Sequence, residues 1–206
     1  MFNGLQTESK THNHSELAAI LEGYVKSIVS NKGKKLTPLW EKGYSSLLDI
    51  YLGEYPESFT YNGKNYTPQS FAASLGIKAE NYITLTSYSH KAFYTNFILG
   101  IPDNWDNGSF YNLPLDEMLE LTKKALRDGY TIEWDADVSN EGFNSKEGIA
   151  VTAKEDEEPN FELTAEEMDV TPKIRQENFD NYTVTDDHLM HIVGLVEGVD
   201  GKKYFV

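Results

Sequence analysis

Between Tyr130 and Val138 apolar and polar side chains alternate. Tyr130, Ile132, Trp134, Ala136 and Val138 are separated by Thr131, Glu133, Asp135 and Asp137. Extended backbone sends residues two apart to the same side, so this stretch predicts a strand with one buried face. Later, Leu189 to Val196 is a nearly continuous apolar run, which predicts a strand in the middle of a sheet. Val199-Asp200-Gly201 reads as a turn, and Lys203 to Val206 as the start of the return strand.

The first third has a different rhythm. Leu17, Ile20, Leu21, Tyr24, Val25, Ile28 and Val29 recur at three and four, an amphipathic helix opening near Ser15 and stopped by Asn31 and Gly33. Thr37-Pro38 predicts a cap followed by a first-turn proline, with Trp40, Tyr44, Leu47, Leu48 and Tyr51 as the apolar stripe. Phe59 to Tyr66 reads as a hairpin around Asn62-Gly63, and Thr67-Pro68 starts a short helix ending near Gly76. Ile83 to Tyr88 fits a strand, and Ala92 to Leu99 a short helix or strand. Leu115 to Leu126 is helical with Gly129 just past its end, Ile149 to Val151 is a short strand, and Thr171-Pro172 opens a helix towards Phe179.

At 206 residues the chain is one large domain or two small ones. A chain of this size buries about 70% of the surface it exposes when unfolded, enough for a core. Thirteen Tyr, ten Phe and three Trp argue against a disordered acidic tail. The charge is lopsided: residues 1–100 hold 9 basic and 8 acidic side chains, residues 101–206 hold 9 and 25. Phosphate repulsion by the second half argues against nucleic acid as a partner. The densest acidic stretch, Glu155 to Glu158 and on to Asp169, fits a solvated loop better than a cation site, since it lacks calcium-loop spacing. There is no run of about 20 apolar residues to span a bilayer, and Met1 to His14 contain no apolar signal region. Zero cysteine excludes disulfides, thiolate metal sites and a cysteine nucleophile within these residues.

Candidate chemistry is sparse. His12 and His14 lie close together, and His90 stands alone. His188 and His191, three apart on a strand, point to opposite faces and so do not share a metal ion. Asp135 and Asp137 share a strand face, where paired carboxylates can share a proton or bind a metal but more often form a wetted side. Asp186-Asp187-His188 opens an apolar strand, and a histidine held at a strand end can act as a general base. A base also needs a nucleophile and an orienting group, and Ser45, Ser46 and Ser87 lack a nucleophile-elbow context.

Several stretches resemble one family. Ile101-Pro102-Asp103-Asn104-Trp105, Phe110-Tyr111-Asn112-Leu113-Pro114-Leu115-Asp116-Glu117 and Gly129 to Val138 are similar to segments of the aminopeptidase C / bleomycin hydrolase family of papain-like cysteine peptidases. The most specific are Arg175-Gln176-Glu177-Asn178-Phe179 and Thr185-Asp186-Asp187-His188-Leu189-Met190-His191-Ile192-Val193-Gly194. His14-Ser15-Glu16-Leu17 and Lys35-Leu36-Thr37-Pro38 extend the likeness across nearly the whole chain.

The resemblance implies an α+β, partial papain-like fold: a mainly helical insertion (1–77), a connecting segment (78–113), and the sheet-rich half of the core (114–206). It places the catalytic His at His188, with Gly194 six residues on. The family's Cys and oxyanion-hole Gln fall before the residue matching Met1, and its triad Asn follows the strand matched by Lys203-Tyr204-Phe205-Val206. The chain is therefore expected to be a segment of a longer enzyme, inactive alone. In the implied chemistry an imidazolium holds a thiol, ordinarily near ~8.5, as thiolate. The thiolate attacks the peptide carbonyl, and His188 passes the proton to the leaving amine and later activates water. The implied partners are a peptide substrate and the remaining segments of the parent, itself a homo-hexamer whose C-terminal tail restricts it to N-terminal residues. Neither cofactor, metal, nucleic acid nor membrane is expected. The implied compartment is cytoplasmic, with any signal lying upstream. Two alternatives remain open at this stage: a non-catalytic binding or regulatory protein of the same fold, and a metal-binding acidic module.

Overall fold

The computed structural model describes residues 12–33, 35–154, 157–162, 165–198 and 201–206. It forms two compact units, Met1–Asn81 and Tyr82–Val206.

The first unit is built from the predicted amphipathic elements. Helix α1 spans His14–Val29, with Asn13 at its N-cap accepting from the Glu16 N–H. Helix α2 spans Leu39–Leu52 and stops at Gly53. The sequence places Thr37 as its cap, but Pro38 occupies that position without a side-chain bond. Pro38 is already in the helical region, which leaves Thr37 one residue too far out to reach the first-turn N–H groups. The two helices approach closely where Tyr24 donates its hydroxyl to the Trp40 carbonyl at 2.9 Å. A Cβ on Gly43 would lie 2.4 Å from that hydroxyl oxygen, so a side chain there would displace the Tyr24 hydroxyl from the Trp40 carbonyl. Strands β1 (Phe59–Tyr61) and β2 (Lys64–Tyr66) form the expected hairpin, with both Asn62 and Gly63 at positive φ. Helix α3, Pro68–Ser74, opens with a Thr67–Ser70 capping box. It places Phe71 edge-on to Phe59, Tyr61 and Tyr66.

The second unit begins with β3 (Leu85–Thr86), β4 (Asn96–Ile98) and β5 (Ser109–Asn112), in the order β3-β5-β4 with β3 parallel to β5. Helix α4 is Leu115–Arg127, followed by β6 (Ile132–Ala136), the short pair β7 (Phe143–Asn144) and β8 (Ile149–Ala150), and α5 (Pro172–Asp180) capped by Thr171. Strand β9, His188–Ile192, pairs antiparallel with β6. Strand β10 (Leu195–Glu197) pairs antiparallel with β11 (Lys203–Phe205). Leu99, Leu113, Leu115, Leu126, Ala136 and Ile192 are buried. The architecture is α+β, with small, mostly antiparallel sheets. Among the described residues, no helix is long and apolar enough to cross a membrane.

One expectation is corrected. Leu189 to Val196 is not a single mid-sheet strand. It breaks at Val193-Gly194, and Leu189 and Val193 are 59% and 62% exposed. The N–H groups of Val193 and Gly194 both donate to the Val206 carbonyl, which turns the chain out of the β6–β9 ladder and into a second two-stranded pair. Of the predicted turn, Val199 and Asp200 lie outside the described residues, as do Met1 to Thr11 and the Glu155-Asp156 part of the acidic stretch.

Asn112 is fully buried at the end of β5 and holds the loop after β3. Its Oδ1 accepts from the Tyr88 N–H, and its Nδ2 reaches the carbonyls of Tyr88, Lys91 and Ala92. Asn112→Ala leaves several part-buried backbone groups without this partner, at up to about 1–3 kcal/mol each. A total loss of roughly 2–5 kcal/mol is therefore expected in urea unfolding. Asn112→Asp is expected to cost more, because a carboxylate would face three carbonyl oxygens.

Candidate functional site

The site grows from the β6–β9 ladder. Its register sets Ile132 opposite Ile192, Trp134 opposite Met190, and Ala136 opposite His188. Side chains alternate, so Trp134, Ala136, His188 and Met190 share one face while Asp135, Leu189 and His191 share the other. His188 therefore stands at the last paired position, exposed to solvent.

On the His188 face lies an open groove of about 610 Å³. Its walls include Trp134, Val138, Phe143, Ile149 and Met190, and among the described residues no Asp, Glu, Lys or Arg side chain lines it. In a chain of net charge −15 an uncharged groove is a local departure from the surface around it. The histidine ring can thus be reached from outside. His191 also borders this groove, but alternation along β9 sets its side chain on the other face, where its Nε2 lies 3.1 Å from the Thr131 hydroxyl. The two imidazoles are on opposite faces, as their spacing predicts.

The other face carries charge instead. Asp135 borders a smaller groove of about 420 Å³ with Asp103, Trp105, Phe110 and Leu189. Ligand atoms of Asp103, Asp135 and Asp186 lie within 4.8 Å of one another. Partial burial is the main reason that the Asp135 and Asp186 carboxyls are pushed above the usual carboxylate range; neighbouring carboxylates add to it. Asp186 Oδ2 has no hydrogen-bond partner. Sequence reasoning pairs Asp135 with Asp137, but the structure gives them separate surroundings. Asp137 accepts from Ser139, Asn140 and Thr185, beyond the end of β6. Asp187 accepts from the N–H groups of Val138 and Ser139, and these bonds hold its carboxyl below the usual range.

The most recognisable sequence words turn out to be scaffold. Arg175 donates to the Ser87 carbonyl at 2.8 Å and lies over the Tyr88 ring. Gln176 is buried; its Oε1 accepts from Ser89 and the His90 N–H, and its Nε2 donates to Asp180. Phe179 stacks on His90. These contacts tie α5, eight residues before His188, to the loop after β3. His12 Nδ1 donates to the Tyr51 carbonyl at 2.9 Å, and neither His12, His14 nor His90 lies on the β6–β9 ladder. Sequence reasoning missed the roles of Ser139, Asp103 and Asn112. The Asp-x-Ser-Asn pattern at 137–140 is an Asx-turn signal that could have flagged Ser139.

No family model and no curated protein matches the sequence. Among solved structures, the chain is similar to PepW from Lactobacillus rhamnosis HN001, with a TM-score of 0.50 and 18% identity over 92% of the chain. It spans 44% of the length of that structure. At this identity the likeness concerns the fold.

The carboxylate cluster has a testable sign. A carboxyl raised in the folded state binds its proton more tightly there than in the unfolded chain. Its contribution therefore turns unfavourable as pH rises from the unfolded value, 3.8 for Asp186, through the raised folded value. Asp186→Asn is expected to raise Tm at pH 7. Removing a screened like charge is worth on the order of 0.5 kcal/mol, and about 1 kcal/mol moves Tm by roughly 2–4 °C at this size. Calorimetry from pH 7 to below 4 should show the gain shrinking as the native cluster protonates.

Proposed function

We propose that this chain is the histidine-bearing part of a cysteine-type aminopeptidase of the aminopeptidase C / bleomycin hydrolase kind. In this reading residues 1–77 are the helical insertion, 78–113 the connection and 114–206 the sheet-rich half of a papain-like core. The observation that carries it is His188: an exposed imidazole at a strand end, on the rim of an open, uncharged groove. The likeness to PepW is one of fold and agrees with this reading. The sequence words quoted above support the finer reading.

The thiol comes from polypeptide outside these 206 residues, which contain no cysteine. With such a thiolate docked beside the groove, His188 gives its proton to the departing amine as the acyl-enzyme forms, then takes one from the water that hydrolyses it. An orienting side chain for the ring also comes from outside. The substrate is a peptide, cleaved at its N-terminal end, and the whole enzyme assembles from several copies, a hexamer in this reading. No cofactor enters the reaction, and its setting is cytoplasmic.

A second reading has its own support. A protein of this fold without a cysteine can bind peptides in the same groove without cleaving them. The two separate on a direct comparison. Combined with a cysteine-bearing segment of a relative, or within a longer chain that contains one, the protein is expected to release aminomethylcoumarin from aminoacyl substrates. His188→Ala is expected to lower kcat by at least about 100-fold, the low end for a general acid–base group. The 206-residue chain alone is expected to be inactive. Retained turnover in His188→Ala would refute the assignment; tight peptide binding with no turnover in any combination would favour the second reading.

A further inference from the structure

We propose that Asp137 and Asp187 act as a reciprocal carboxylate clamp that positions His188. This rests on the reading of His188 as the proton carrier and adds to it the device that aims the ring.

The ladder ends at the pair Ala136–His188. A terminal pair has no neighbour on one side, and strand ends of this kind fray unless something beyond them is tied down. Here both strands are tied, each by a carboxylate from the other. Asp187, one residue before His188, places Oδ1 2.9 Å from the Val138 N–H and Oδ2 3.1 Å from the Ser139 N–H. Asp137, one residue past Ala136, places Oδ2 2.9 Å from the Thr185 N–H. Its Oδ1 accepts from the Ser139 hydroxyl and the Asn140 N–H, both at 2.9 Å. Between the two carboxylates the Asp187 N–H donates to the Ala136 carbonyl at 3.1 Å.

All four carboxylate oxygens are therefore engaged, and three of the bonds cross between segments 48 or 49 residues apart. A solvated surface aspartate would leave most of its oxygens to water. The direction of the His188 side chain follows from the backbone at 187 and 188, which the clamp fixes on the side where the ladder ends. His191, three residues along and on the opposite face, lies inside the ladder and depends on it much less. That makes it an internal control. Asp187→Asn keeps one acceptor oxygen but sets an amide NH₂ against a backbone N–H, so one cross-strand bond is lost and the other is strained. Asp137→Asn does the same to the reciprocal half.

The test uses the 206-residue chain with ¹³C-labelled histidine. Ring signals of His188 and His191 and the exchange rate of the residue-187 amide are compared in wild type, D187N and D137N. The proposal expects either variant to shift or broaden the His188 ring signal while that of His191 stays in place. The residue-187 amide, which donates to the Ala136 carbonyl in the wild type, should exchange at least about tenfold faster, the scale of one lost hydrogen bond to a charged group. An unchanged His188 signal would overturn the clamp. So would equal changes at His188 and His191 with a lowered Tm, since those describe general destabilisation. Should D187N fail to fold, D137N alone supplies the comparison. Neither readout involves turnover, so a negative result removes the clamp and leaves the catalytic reading to its own test.

Discussion

The register between β6 and β9 is the constraint on which the rest of the second unit's site depends. Alternation has a period of two, so a slip of one residue would exchange the faces completely. His188 would then join Asp135, and His191 would take its place at the groove. Two things hold the register. Ala136 and Ile192 are buried on one face, and any slip would expose them in exchange for Asp135 or His191. Beyond the ladder's end, the Asp137 and Asp187 carboxylates tie each strand to the backbone of the other.

Around this ladder, loops of irregular backbone are held by side-chain amides. Asn112 satisfies four backbone groups of the loop after β3, Asn104 donates to the carbonyls of Leu99 and Gly108, and Gln176 reaches the same region from α5. Irregular backbone needs such partners, because its N–H and C=O groups have no ladder. These amides belong to the stretches that most resemble the aminopeptidase C / bleomycin hydrolase family. Much of that likeness therefore records how the backbone is satisfied, and in the proposed function His188 supplies the part that bears on chemistry.

The elements legible in the sequence are those with a strong period or a clear cap. Helices α1 and α4, the Asn62-Gly63 hairpin, the Thr67 and Thr171 caps and the Trp134 strand all follow from local rules. The β7–β8 pair was only half visible, because strands of two residues carry no period. The break at Val193-Gly194 was hidden because its cause is a non-local bond to Val206. The candidate site divides the same way. The opposite faces of His188 and His191 follow from spacing alone. The Asp103–Asp135–Asp186 cluster needs three distant segments to meet, and no spacing rule encodes that.

An accessible imidazole on an uncharged groove, aimed by the strand that carries it, is the physical core of the proposed function. Its most direct test is which side chains surround the His188 ring in solution. Nuclear Overhauser contacts from that ring to the Ala136 methyl and the Met190 and Trp134 side chains are the predicted result. Contacts to Leu189 and Asp135 would place the ring on the acidic face and contradict the account.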